Sequence, residues 1–130
     1  MNYEELKAEL GPDFKKDGDV MVGRTQKWLN DTYGGKVGYG ENITVSGYTG
    51  WTTINALTRA LQIEFGITAT ANNFGPTTIR RFKERFPNGI KQQADDDETE
   101  SNIYGIIQGA LWCKGYSTRS EQITKHFYGG

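Results

Sequence analysis

The ionisable side chains of the sequence offer few arrangements that could do chemistry. Hydrolysis of a glycan needs two carboxylates held roughly 5 to 10 Å apart. The acids here are either scattered over expected solvent faces, as Glu64 and Glu84 are, or crowded into Asp95-Asp96-Asp97-Glu98 with Glu100 following. That run reads as a solvated linker. A calcium loop of the EF-hand kind needs a glycine at its sixth position and spaced acids, and the run has neither. A zinc hydrolase needs several His, Cys or Asp ligands, yet His126 is the single histidine and Cys113 the single cysteine. Cys113 has no CxxC partner and no second cysteine for a disulfide within the chain. Pairing it with His126 as a nucleophile and base is opposed by its place beside Leu111 and Trp112 in a helical pattern, where a cysteine packs as a small hydrophobe. The expectation is a chain without catalytic residues, metal or cofactor, and therefore not an enzyme.

Binding chemistry is better represented. Aromatic rings cover the C–H faces of sugars or peptide stems at little entropic cost, and tyrosine and asparagine add polar handles. Residues of these types fall in or beside expected loops at Tyr33, Tyr39, Tyr48, Trp51, Asn72, Asn73, Trp112 and Tyr116. Of these, Tyr39, Tyr48, Trp51, Asn72, Asn73, Trp112 and Tyr116 form the candidate ligand-binding set. Tyr39 and Tyr48 stand between two roles, core or ligand contact. Trp28, Phe65, Phe74, Phe82 and Phe86 fall on apolar helix faces or pin turns, and are expected in the core.

The elements that must position these residues are helices. A short helix is expected over Tyr3 to Leu10, stopped by Gly11-Pro12, followed by a polar stretch from Asp13 to Asp19. Residues 1–19 read as a leader that docks loosely or stays mobile. Asp19 is a suitable N-cap for a helix over Val20 to Tyr33, which Gly34-Gly35 ends. The glycine-rich stretch from Gly34 to Gly50 has the alternating Ile43 and Val45 of a short strand. A helix over Trp51 to Phe65 carries Ile54, Leu57, Leu61 and Phe65 on one face. Pro76 suits the first position of the next helix, which runs through Ile79, Phe82 and Phe86. A last helix, about Glu100 to Lys114, places Ile103, Ile107, Ala110 and Leu111 together.

One phrase occurs twice. Gly50-Trp51-Thr52-Thr53-Ile54 returns as Gly75-Pro76-Thr77-Thr78-Ile79, each copy with an aromatic residue just before its glycine, Tyr48 or Phe74. The threonines are expected to bond backbone groups left unpaired at a helix start. A second phrase, Gln-x-x-Leu, occurs as Gln26 to Leu29 and as Gln108 to Leu111, each followed by a glycine.

The 130 residues fit one domain of ordinary size. The net charge of -1, from 15 basic and 16 acidic residues, leaves no basic excess for nucleic acid. No apolar run reaches the ~20 residues of a membrane span, and the first residues lack the pattern of a signal peptide.

The order of a Gln-x-x-Leu helix, a glycine, a loop and an aromatic-Gly-x-x-Thr helix start resembles the small three-helix peptidoglycan-binding domain found beside cell-wall hydrolases. The matching residues are Leu57 to Gly66 and Phe74-Gly75-Pro76-Thr77-Thr78. The chain is also similar to the tandem peptidoglycan-binding-like modules attached to a glycoside-hydrolase-like barrel in Gram-positive bacteria and their phages. That similarity is carried by Thr49 to Thr53, Ala56 to Gln62, Asn73 to Thr78 and Ala110 to Tyr116. The sequence departs from the family pattern in two ways. The aspartate that commonly precedes the loop glycine is replaced by Ser46 before Gly47 and by Asn72 before Asn73, and the last repeat, ending in Phe127-Tyr128-Gly129-Gly130, is incomplete.

The resemblance covers residues 20–130 and implies an all-α fold of tandem units sharing one core, about 20–66, 51–89 and an incomplete 100–130, with long glycine-rich loops. It implies a non-catalytic, monomeric module that binds peptidoglycan or another cell-wall glycan or peptide beside a linked catalytic domain. Its place would be the cell wall or the extracellular space, with a phage origin also open. The alternative is a structural or protein-interaction module that kept the fold without glycan binding.

Overall fold

The computed structural model describes residues 1–88 and 98–114. Within them the chain is all-helical: α1 (Tyr3–Leu10), α2 (Val20–Tyr33), α3 (Trp51–Glu64), α4 (Pro76–Arg85) and α5 (Glu98–Cys113). The acidic residues Asp95-Asp96-Asp97, Tyr116, His126 and the terminal Phe127-Tyr128-Gly129-Gly130 lie outside the described residues. No described helix is long and apolar enough to cross a membrane.

Helix starts follow from local chemistry. Asn2 caps α1 by accepting from the Glu5 N–H at 2.8 Å, and Glu5 returns a contact to the Asn2 N–H. Asp19 Oδ1 accepts from the Val22 N–H at 3.0 Å and so fixes the start of α2. α3 and α4 have no side-chain cap at Gly50 and Gly75, and Pro76 opens α4 where its missing N–H costs nothing. No strand forms over 34–50, so Ile43 and Val45 lie in irregular backbone without a partner ladder. Ile43 is nevertheless 7% exposed, because its backbone is tied to Asn30: Asn30 Nδ2 donates to the Ile43 carbonyl and Asn30 Oδ1 accepts the Ile43 N–H. One asparagine side chain thus supplies what a strand neighbour would.

The core lies between α2, α3 and α5 and contains Leu29, Tyr33, Tyr39, Ile43, Ala56, Leu57, Ala60, Leu61, Phe65, Phe86, Ile103 and Ile106. Complete burial of such side chains is worth about 1.5 to 3 kcal/mol each. α5 is buried on almost every side, which explains why Tyr104, Ile106 and Trp112 are as enclosed as Ile103. Gly109 permits this: a Cβ there would sit 2.7 Å from Thr25 Cγ2, so α5 approaches α2 only without a side chain. Glu64, expected on a solvent face, instead joins three helices. Its Oε2 accepts from Tyr33 Oη at 2.7 Å and from Asn102 Nδ2 at 3.0 Å.

One expectation about an aromatic residue is corrected. Phe74 is 47% exposed rather than core, and Ile79 is 40% exposed. α4 is rotated so that Thr78, Phe82 and Phe86, spaced by four, face inward, which sets Ile79 beside that stripe. Phe82 meets the Phe65 ring edge-on at 6.0 Å, and Arg81 donates to the Phe65 carbonyl at 3.1 Å.

Residues 1–19 are docked rather than loose. Phe14 is 1% exposed, packed in the space left by Gly23 and Gly47. Gly47 has φ +84°, and a Cβ there would come within 2.6 Å of the Phe14 ring, so glycine is required twice over. The Lys15 and Asp19 N–H groups donate to the carbonyls of Ser46 and Gly47, and Tyr3 Oη donates to the Phe14 carbonyl.

Candidate functional site

Two buried glutamines organise the surface that carries the candidate binding residues. Gln26 in α2 is 1% exposed, and its side chain holds the end of the 34–50 connection at two points and the start of α3 at a third. Its Oε1 accepts the Gly47 N–H at 2.9 Å, and its Nε2 donates to the Tyr48 carbonyl and to Thr53 Oγ1, both at 3.0 Å. Gln62 in α3 is 3% exposed and does the same for the next connection. Its Oε1 accepts the Ala71 N–H at 2.9 Å, and its Nε2 donates to the Asn73 carbonyl at 2.9 Å and to Thr78 Oγ1 at 3.2 Å. Each glutamine amide therefore satisfies one backbone donor, one backbone acceptor and the threonine in the first turn of the following helix.

The geometry redefines the repeated phrase. Thr53 and Thr78 are 2% and 3% exposed, and each accepts from a glutamine of the preceding helix rather than serving as a local cap. The two connections match as Ile43-Thr44-Val45-Ser46-Gly47 and Ile67-Thr68-Ala69-Thr70-Ala71, with one residue more before Asn73 than before Tyr48. Gln108 of α5, in the third Gln-x-x-(Leu/Phe) frame, is also fully buried. The signal for these glutamines was present in the sequence: an amide on the apolar stripe of a helix, beside Leu29 or Phe65, must be bonded once it is buried.

The candidate residues separate into an exposed group and an enclosed group. Trp51, the first residue of α3, is 76% exposed, and Tyr48 is 48% exposed. Tyr48 is held from both ends: its carbonyl by Gln26 and its hydroxyl by a short hydrogen bond to Asp17 Oδ1. That carboxylate raises the Tyr48 phenol above its ordinary range. Asn72 and Asn73 are exposed, with Asn72 Oδ1 accepting from Arg59 Nη1 at 2.6 Å. Arg59 stands in α3 where Gly23 stands in α2, three residues before the glutamine. Its Nε donates to the Tyr39 carbonyl at 2.8 Å, so it bridges the two connections as Phe14 fills the corresponding space of the first.

Tyr39 and Trp112 do not belong to the exposed set. Tyr39 is 0% exposed, its hydroxyl donates to Asn30 Oδ1 at 2.9 Å, and its ring packs 6.1 Å from that of Tyr33. Trp112 is 5% exposed on the inner side of α5. Both are removed from ligand contact because a ring with a satisfied hydroxyl, or one on a helix enclosed all round, gains more from burial than from solvent. Tyr116 lies outside the described residues.

Burial pushes the Tyr39 phenol up to about 12, against the opposing pull of Arg59. The neutral form is favoured in the folded state, so this tyrosine contributes stability that is complete below the unfolded value near 10 and is lost as the pH rises toward 12. In an ultraviolet absorbance titration Tyr39→Phe should remove a late-ionising phenol and shift alkaline unfolding to higher pH. An unchanged titration curve would contradict that assignment.

Among the described residues no group of three or more potential ligands could hold a metal ion. Burial also raises the Cys113 thiol, with a hydrogen bond to Thr49 opposing the shift, which keeps it protonated and poorly nucleophilic at neutral pH. The chemistry offered by the exposed set is that of contact: a tyrosine ring at the end of one connection with an indole at the start of α3, and amides with the half-exposed Phe74 on the other connection.

No family model matches the chain, and no solved structure matches it. It is similar to the uncharacterized protein YbfG of Bacillus subtilis (strain 168), with 58% identity over 99 residues, covering 76% of this chain and 13% of YbfG. It is likewise similar to the uncharacterized protein FadG of the same organism, with 54% identity over 98 residues, covering 75% of this chain and 16% of FadG. The chain thus spans less than a fifth of either relative.

Proposed function

We propose that this chain is a non-catalytic module that binds the peptidoglycan of the bacterial cell wall and so localises a linked hydrolase or another wall-associated protein. The observation that carries the reading is the pair Tyr48 and Trp51, exposed where the first connection enters α3, a junction that Gln26 clasps through Gly47, Tyr48 and Thr53. A large ring left in solvent on a mobile loop is costly to order, whereas one on a fixed rim is ready to cover a sugar face or a peptide stem. The order of motifs shared with peptidoglycan-binding domains supports the same reading, with units about 20–66 and 51–89 that have α3 in common. The similar proteins come from a Gram-positive bacterium and are several times longer, which suits a module beside other parts.

Sedimentation with purified sacculi tests the proposal. The wild-type chain is expected to pellet with peptidoglycan from a Gram-positive species, and the Tyr48→Ala, Trp51→Ala double variant to remain in the supernatant with its helical circular dichroism unchanged. Wild-type protein that stays soluble with sacculi of several Gram-positive species would overturn it and leave the protein-interaction reading. Release of soluble glycan or muropeptide fragments would point to an enzyme instead.

A further inference from the structure

The second connection borders a half-open surface recess of about 420 Å³, lined by Gln62, Ile67, Ala69, Ala71, Asn73 and the Gly75–Thr78 turn. This volume is within the range of small-molecule sites, roughly 300 to 1,000 Å³. Its wall differs from those of two other concavities on the molecule. One is bordered by Arg80, Lys83 and Glu84, the other by Glu64, Arg81, Glu84 and Arg85. The recess of the second connection has no ionisable side chain in its lining. Its apolar surface comes from methyl groups and a proline ring: Ile67, Ala69, Ala71 and Pro76. Its polar lining residues beyond the Gln62–Thr78 base are Asn73 and Thr77, both exposed. The Gln62 amide and Thr78 hydroxyl at its base are already bonded to each other, and Gln62 also fixes the Ala71 N–H and the Asn73 carbonyl. The walls are therefore held in place before any ligand arrives, which lowers the cost of binding.

We infer that this recess is a second binding site, distinct from the Tyr48 and Trp51 rim, and that it takes a neutral group combining a methyl with an amide. Methyl walls beside one amide and one hydroxyl complement a CH3–C(=O)–NH unit, while a charged group would find no counter-ion there. That unit has two sources, the acetamido arm of an N-acetylated sugar and an alanyl residue of a peptide. The two connections then divide the work: where the first presents Tyr48 and Trp51, the second has Asn73 and Pro76, exchanging a flat aromatic surface for a small-walled recess. The inference rests on the wall-binding reading only for the choice of probes.

The test is a 1H–15N correlation titration of the full chain with tri-alanine, with triacetylchitotriose and with the fully deacetylated chitotriose. Saturable shifts of the Ala69, Ala71, Asn73 and Thr77 amides with tri-alanine assign a peptide source, and with triacetylchitotriose a sugar source. The deacetylated sugar should leave them in place. Ala71→Phe, which fills the recess while keeping its backbone bond to Gln62, should weaken the response roughly tenfold or more. Ala69→Phe serves as a second filling variant should Ala71→Phe perturb the fold.

No saturable shift with either acylated probe would overturn the inference, as would an equal response to the deacetylated sugar or contacts of the Ala71 methyl with another segment of this chain. Sacculus sedimentation of the same samples separates the two ideas. Pelleting without probe shifts sinks the recess and spares the wall reading, and shifts without pelleting do the reverse.

Discussion

Replacing Gln26 by alanine is expected to lower the free energy of unfolding by about 3 kcal/mol. The side chain is buried and satisfies three groups at once: the Gly47 N–H, the Tyr48 carbonyl and the Thr53 hydroxyl. A buried polar group left without its partner costs about 1 to 3 kcal/mol, and water entering the space of the lost amide recovers part of the sum. Gln62→Ala should cost less, about 1 to 2 kcal/mol, because Ala71 and Asn73 lie at the surface and water can replace the amide there. The order of the two effects is the sharper test. Urea denaturation followed by circular dichroism gives both values, and a Gln26→Ala variant as stable as wild type would mean that the clasp holds no structure. Thr53→Val in the Gln26→Ala background should then cost little, since the two side chains belong to one network.

Phe14→Ala is expected to cost a similar amount, about 3 kcal/mol, directed at the docking of residues 1–19. The ring fills the space beside two glycines, and its loss leaves a cavity between backbone segments that cannot close by side-chain movement. Hydrogen exchange should show the Lys15 and Asp19 amides, which donate to Ser46 and Gly47, losing protection while the α3 and α5 amides keep theirs. Equal loss of protection in α5 would show instead that the first 19 residues fold as one unit with the rest. A functional consequence follows from Asp17, which holds the Tyr48 hydroxyl. If the leader swings away, the Tyr48 ring loses one of its two anchors, and on the proposed wall-binding reading sacculus binding should weaken without any change at Tyr48 itself.

The helices were readable because their signals are local. Asp19 before Val20, the glycines after Tyr33 and Phe65, and Pro76 after Gly75 act within one turn, so the positions of α2, α3 and α4 need little help from the rest of the chain. Trp51 was equally readable as a candidate surface ring: it opens a helix directly after Gly50, and its side chain is 76% exposed while Thr53, two residues on, turns inward. Tyr39 was not. Whether a tyrosine in a non-helical stretch turns inward depends on a partner for its hydroxyl, and that partner, Asn30, is on another element. Phe74, expected in the core, failed for a related reason. A repeated phrase fixes spacing but not the rotation of a helix, and the rotation of α4 is set by Gln62 drawing Thr78 inward.

By itself, then, the sequence determined the five helices of the described residues to within a residue or two at their ends and the recurrence of one loop-to-helix phrase, because capping and periodicity act over a few residues, while the strand expected at Ile43 and Val45 did not form. The tertiary structure decided which member of each phrase is structural and which is exposed. A glutamine becomes a clasp only when a loop some 20 residues away along the chain offers it a donor and an acceptor, as the Gly47 N–H and the Tyr48 carbonyl do for Gln26. Such a pairing costs chain entropy to close and is stabilised only once water has been excluded from around it, so no short stretch of residues can announce it.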